Sequence, residues 1–206
     1  MLGKGLPIPT SSSPEEIAGK ADSALTSVNI DEAYTIIAKS TMSPNRLRKR
    51  EDVSMTTSNR IVLSSDHAAI HLRQTIAGHI AALGWVAVDI GPTTAESTHY
   101  PTHGKAAAQL VASGDCRFGI ILCGTGQGIM MAANKVKGIR CGVCSDTFSA
   151  RMIRHHNDAN MLSLGVRVVG EGLALDIVDA FLTASFEGGR HATRVEMIEA
   201  LEGCVR

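Results

Sequence analysis

From Arg60 onward, short apolar runs alternate with stretches long enough for helices, and this alternation leaves the chain very few ways to bury its apolar surface. The runs are Ile61-Val62-Leu63, Trp85 to Gly91, Phe118 to Leu122, Ile139 to Cys144 and Met161 to Leu164. They are largely continuous rather than alternating blocks, as expected of strands covered on both faces. Helices are predicted from just after His67 to about Leu83, where Gly84 stops the first, and over Gly104 to Ser113. Others follow from near Ile129, over Ser145 to His155, Gly170 to Thr183 and His191 to Leu201.

Strands separated by helical lengths pair in parallel, with helices on both sides of the sheet. The expected fold is α/β: a Rossmann-like three-layer α/β/α sandwich around a mainly parallel five-stranded sheet, with an N-terminal extension. In such sheets ligands bind at the carboxyl ends of the strands. Polar residues gather at those ends. Asp66 and His67 follow the first strand, a glycine-dense loop follows the third, and His156-Asn157 precedes the last.

Composition shifts near residue 58. Before it come Pro/Ser punctuation, a possible helix opened by Ser13-Pro14-Glu15-Glu16, a second through Asp31 to Ile37, and a charged tether from Pro44 to Asp52. Met55 is itself a plausible chain start. We therefore read residues 1–58 as an extension, partly helical or disordered, and 59–206 as the main domain. The 206 residues are 44% hydrophobic, which suffices for a full core. Twenty basic and twenty acidic residues balance, and aromatics are 3%, which speaks against nucleic acid as a partner. No apolar run approaches the ~18 residues of a membrane helix, so a membrane is not expected as a partner and a cytoplasmic location is. The five cysteines, Cys116, Cys123, Cys141, Cys144 and Cys204, are an odd number in a chain that needs no staples, and reduced thiols are expected. Cys141 and Cys144 have C-x-x-C spacing but no second pair or nearby His to complete a zinc site; core packing is the simpler role.

The glycine loop, Cys123-Gly124-Thr125-Gly126-Gln127-Gly128, carries most of the chemistry. It fails both nucleotide fingerprints: no Gly-Lys-Ser/Thr ending follows, and the third glycine of G-x-G-x-x-G falls on Ile129 or Met131. What remains is a bend where backbone N–H groups approach a ligand and a helix begins, an arrangement that favours oxyanions. A thiol placed there can have a lowered pKa and act as a base; the plainer alternative is a small buried residue that ends a strand.

Seven motifs then occur in order: SDHAA from Ser65, DIG from Asp89, YP at Tyr100, CGTGQGIMMAANKVKGIR from Cys123, HNDAN from His156, LGVRVVG from Leu164 and FEGGRHATRV from Phe186. Together they make residues 60–201 resemble the type B ribose-5-phosphate isomerases, a family that includes galactose-6-phosphate and related sugar-phosphate isomerases. The resemblance implies aldose–ketose isomerisation of a small sugar phosphate through a cis-enediolate, with no metal and no organic cofactor. In this reading Cys123 is the base, since Ile129 stands where other members use a Glu. Gly124, Gly126, Gln127 and Gly128 present amides to the enediolate oxygens, and Thr125 adds a hydroxyl. His156 opens the sugar ring and Asn157 holds a hydroxyl. Arg167, Arg190 and Arg194 match the family's phosphate ligands, while Asp66 and His67 complete the sugar contacts; His191 is a weaker candidate. The resemblance also implies a homodimer or dimer of dimers with the site at the interface. Ala68-Ala69, Ser64 and Thr102 depart from the common pattern, so ribose 5-phosphate, a six-carbon aldose 6-phosphate or a four-carbon ketose phosphate all suit the same core. A non-catalytic sugar-phosphate-binding module, or a thiol redox protein using Cys141 and Cys144, are readings of other classes.

Overall fold

The computed structural model describes residues 59–203 and the backbone of a short strand at residues 25–27. The possible helices around Ser13 and Asp31, the charged tether and Met55 lie outside the described residues.

In chain order the strands are β1 (Leu25–Ser27), β2 (Arg60–Ser65), β3 (Val86–Asp89), β4 (Phe118–Cys123), β5 (Cys141–Val143) and β6 (Met161–Gly165). The helices are α1 (Ile70–Ala82), α2 (Tyr100–Ala112), α3 (Gln127–Ala133), α4 (Thr147–Asn157), α5 (Glu171–Thr183) and α6 (Arg190–Ala200), with a 3-10 turn at His67–Ala69 leading into α1. The five expected strands form an all-parallel sheet in the order β3-β2-β4-β6-β5. A sixth, β1, comes from the extension and pairs in parallel with β3, matching Leu25 to Ala87. Sequence reading gave that segment no strand.

Successive residues of the central strands enter opposite cores, which explains their unbroken apolar pattern. Ile61, Leu63, Ile120, Leu122, Leu162 and Leu164 pack on one face with Ile76 and Ile80 of α1 and Ile177 and Phe181 of α5. Val62, Val88, Ile121 and Met161 pack on the other with Ala107 and Leu110 of α2 and Ile129 and Ala133 of α3. Each such Leu, Ile or Val contributes about 1.5–3 kcal/mol by leaving water.

Two of the boundaries that differ from expectation have a visible cause. Helix α2 begins at Tyr100, four residues early, because Pro101 lies in its first turn, where a missing N–H costs no hydrogen bond. Strand β5 is only three residues long: Arg140 N–H donates to Asn160 Oδ1 and Cys141 N–H to Asn134 Oδ1, so side chains replace the start of the ladder.

Candidate active site

The chain passes from β2 to β3 on one side of the sheet, then crosses back to β4 on the other side of β2. The loops leaving β2 and β4 therefore part in opposite directions and open a crevice at the carboxyl ends of the two strands. Asp66 N–H donates to Leu122 O across its floor (3.2 Å). On the far side, Val166 N–H donates to Cys123 O and Arg167 N–H to Gly124 O, both at 3.0 Å, drawing the end of β6 against the glycine loop. A cavity of about 290 Å3 results, lined by Asp66, His67, Ala68, Tyr100, Cys123, Gly124, Thr125, Gly128 and Arg167.

Cys123 is the last residue of β4, and its Sγ accepts a hydrogen bond from Gly126 N–H at 3.2 Å. The loop can turn this tightly because of its glycines. Gly126 has φ 77°, and a Cβ there would stand 2.8 Å from the backbone of Leu164. A Cβ on Gly128 would stand 2.6 Å from the Tyr100 ring, so this glycine leaves room for the tyrosine at the rim. Ser163 Oγ donates to Gly126 O (2.6 Å) and locks the bend from beneath. Helix α3 starts at Gln127, and Ile129 is fully buried in the core.

Asp66 is buried, caps the 3-10 turn through Ala68 N–H (3.0 Å) and continues a polar network under the cavity. Arg73, 1% exposed, pairs with Asp89 (2.8 Å) and donates to Ser65 Oγ (2.6 Å) and Pro92 O (2.8 Å). Ser65 Oγ in turn donates to Asp66 O (2.9 Å). His67 Nδ1 accepts from Thr98 N–H at 3.2 Å, leaving Nε2 as the position for the ring proton. His103 is buried beside this network, and its pKa is lowered by desolvation, which outweighs Asp66 raising it, while Arg73 lowers it further.

Sequence reading singled out neither Arg73 nor His103. The signal for Arg73 was available: Leu72, Ile76 and Ile80 mark the buried face of α1, and Arg73 lies on that face three residues before Ile76. An arginine on an apolar stripe needs a partner.

The remaining site residues form a second group at the α4–α6 seam. The His156 ring stacks on His191 with centroids 4.3 Å apart and planes 5° from parallel. His191 is buried, and its pKa is lowered by desolvation first, then by His156, Arg190 and Arg194, against the opposing charge of Glu187. Arg190 and Arg194 are both exposed on α6. Asn157 ends α4, where its carbonyl accepts from Arg140 Nε (3.0 Å) and it lines a separate cavity of about 540 Å3. The turn that follows is held by Asp158, with φ 45°, between Arg154 (2.7 Å) and Arg140 (3.0 Å).

The candidates thus divide. Asp66, His67, Cys123, Gly124, Thr125, Gly128 and Arg167 share one cavity; Gly126 and Gln127 frame the loop without lining it; His156, Asn157, Arg190 and Arg194 do not line it. The other described cysteines are poor nucleophiles. Burial pushes the Cys116 thiol up to about 12 and Cys144 to about 11, and raises Cys141 as well. That is the packing role expected for the C-x-x-C pair.

The family model described as Ribose/Galactose Isomerase matches residues 61–198. Ribose-5-phosphate isomerase B of Escherichia coli is 47% identical over 143 residues, covering 69% of this chain and 96% of the relative. Among solved structures, ribose-5-phosphate isomerase B of Clostridium thermocellum is 51% identical with TM-score 0.69, covering 70% of this chain and 97% of that one. The Mycoplasma genitalium enzyme with bound ribulose-5-phosphate is 37% identical with TM-score 0.68, covering 71% and 97%. Among the described residues no helix is long and apolar enough to cross a membrane.

Proposed function

Since the chain belongs to the ribose/galactose isomerase family, we propose that it interconverts ribose 5-phosphate and ribulose 5-phosphate, with Cys123 as the base. The observation that carries this reading is Cys123 Sγ at a cavity wall, aligned by Gly126 N–H, with Arg167 packed over Gly124. The thiolate removes the proton from C2 of the open aldose, leaving a cis-enediolate. The O2 hydroxyl proton passes to O1 and the same thiol returns the carbon-bound proton to C1, giving the ketose. Negative charge on the enediolate oxygens is met by the loop's amides and the Thr125 hydroxyl, donors fixed before the reaction begins. Asp66 and His67 grip the sugar, and a guanidinium fork suits the phosphate.

One protomer holds the base but not, in the same cavity, the ring-opening acid. A homodimer in which His156, Asn157, Arg190 and Arg194 of one chain enter the Cys123 cavity of the other completes the set. We assign this chemistry to residues 59–206, with residues 1–58 as an extension, and place the protein in the cytoplasm, where the free thiols Cys116, Cys123, Cys141 and Cys144 stay reduced.

The test is turnover of four-, five- and six-carbon sugar phosphates in chelator, following the aldose-to-ketose ratio. Cys123→Ala is expected to lower kcat on ribose 5-phosphate by about 10²–10⁴-fold. Preference for a six-carbon phosphate would move the substrate assignment. If no sugar phosphate turns over while one still raises Tm, the protein is a binding module.

A further inference from the structure

The seam between α4 and α6 collects donor atoms around His156, the ring-opening acid of the proposed reaction. Among the described residues, one imidazole nitrogen each from His156 and His191 and one carboxylate oxygen of Glu187 lie within 4.8 Å of one another. Two imidazoles and a carboxylate are a donor set that zinc accepts, with a fourth position left open. We propose that these three residues bind a divalent cation of the zinc type, and that the bound ion takes the His156 imidazole out of use, making the site inhibitory. The inhibitory part rests on the isomerase reading above; the binding part does not.

The geometry is near what coordination needs. Bonds of about 2.0–2.1 Å at tetrahedral angles hold donor atoms about 3.4 Å apart. Glu187 Oε2 already stands 3.8 Å from His191 Nε2. Turning the two rings out of their parallel stack and drawing in Glu187 closes the rest. Glu187 is exposed, and Gly188 and Gly189 follow it with φ 65° and 55°, so its carboxylate sits on a segment with few steric constraints.

His191 is also in the state that coordination needs. Arg190 Nε donates to His191 Nε2 at 3.4 Å, so that nitrogen presents a lone pair. A metal needs this neutral form of imidazole. Opposing the ion are the positive charges of Arg190 and Arg194, which keep binding weaker than in a structural zinc site. Both arginines are exposed and free of carboxylate partners within ion-pair reach among the described residues, so they can swing aside. The ion is therefore a reversible ligand of His156, competing with its work on the sugar.

Co2+ is the spectroscopic probe and Zn2+ the competitor, on the full-length protein stripped with chelator. One Co2+ per chain is expected, with visible d–d bands and no near-ultraviolet thiolate charge-transfer band. Glu187→Gln, an exposed change that leaves the fold intact, should weaken Co2+ at least about tenfold, since loss of an outer-shell partner alone costs that much. Cys123→Ser should bind as the wild type does. Zn2+ should abolish ribose 5-phosphate turnover, chelator should restore it, and Glu187→Gln should need at least about tenfold more Zn2+ for half-inhibition. Binding that is unchanged in Glu187→Gln, or lost in Cys123→Ser, overturns the site. Full turnover by the zinc-loaded enzyme overturns the inhibitory role. If the chelated protein turns over no sugar phosphate, the isomerase reading and the inhibitory role fall together, while a Glu187-dependent cobalt spectrum still upholds the cation site.

Discussion

Of the four described cysteines, Cys116, Cys123 and Cys141 lie in one core and Cys144 in the other, yet only Cys123 combines a hydrogen-bonded sulfur with the wall of the glycine-loop cavity. Cys116, Cys141 and Cys144 are held as thiols by burial. Native protein treated with iodoacetamide at neutral pH, then digested, should carry the label at Cys123 and not at these three, and ribose 5-phosphate should protect it; label at Cys141 or Cys144 would revive the redox reading. The glycine loop is equally specific. Gly126→Ala places a Cβ at φ 77° and against Leu164, so a loss of about 1–3 kcal/mol is expected in the urea midpoint, at unchanged m-value. Gly124 is different: a Cβ there would make only ordinary 3.6 Å contact with Arg167, so Gly124→Ala should spare stability and raise KM instead.

At the level of elements, α1 is fastened to the sheet by a charge as well as by apolar contacts. Arg73 joins the end of β2, through Ser65, to the end of β3, through Asp89. Arg73→Met leaves the half-buried Asp89 carboxylate with only its hydrogen bond from Gly91 N–H, and should cost about 1–3 kcal/mol in chemical denaturation. Buried His103 of α2 supplies a pH dependence. Its lowered pKa means that the folded state binds fewer protons than the unfolded chain once pH falls below about 6.5, so its contribution is fully present above that value and is lost on acidification. His191 acts in the same direction. Tm should therefore fall as pH drops from 7 to 5, less steeply in His103→Gln; an unaltered slope would mean that His103 is not held neutral by the fold.

For the whole molecule, the division of the site residues into two groups sets the decisive experiment. Cys123→Ala and the double variant Arg190→Ala/Arg194→Ala should each be inactive. Unfolded together and refolded, they should recover about a quarter of wild-type activity, because half of the randomly paired dimers carry one intact site of two. No recovery would mean that each chain builds its site alone. Much of this organisation is legible in the chain itself. Continuous apolar runs at helical intervals specify a parallel sheet with two cores, because only strands buried on both faces need that pattern, and the polar residues at the run ends mark Asp66, His67 and the glycine loop as neighbours. The same reading put His156-Asn157 with them, which do not line the cavity, while Arg167, which does, came from the resemblance. Local spacing also puts Arg190 and Arg194 on one helical face. What the tertiary structure alone decides is which candidates share a cavity, that His156 lies ring to ring with His191 beside Glu187, and that Arg73 and His103 form a polar layer under the crevice. Period and motif report on contacts within an element, where separation along the chain fixes distance. Contacts between α4 and α6, or between α1 and the ends of β2 and β3, depend on how layers pack, and no local pattern encodes that distance.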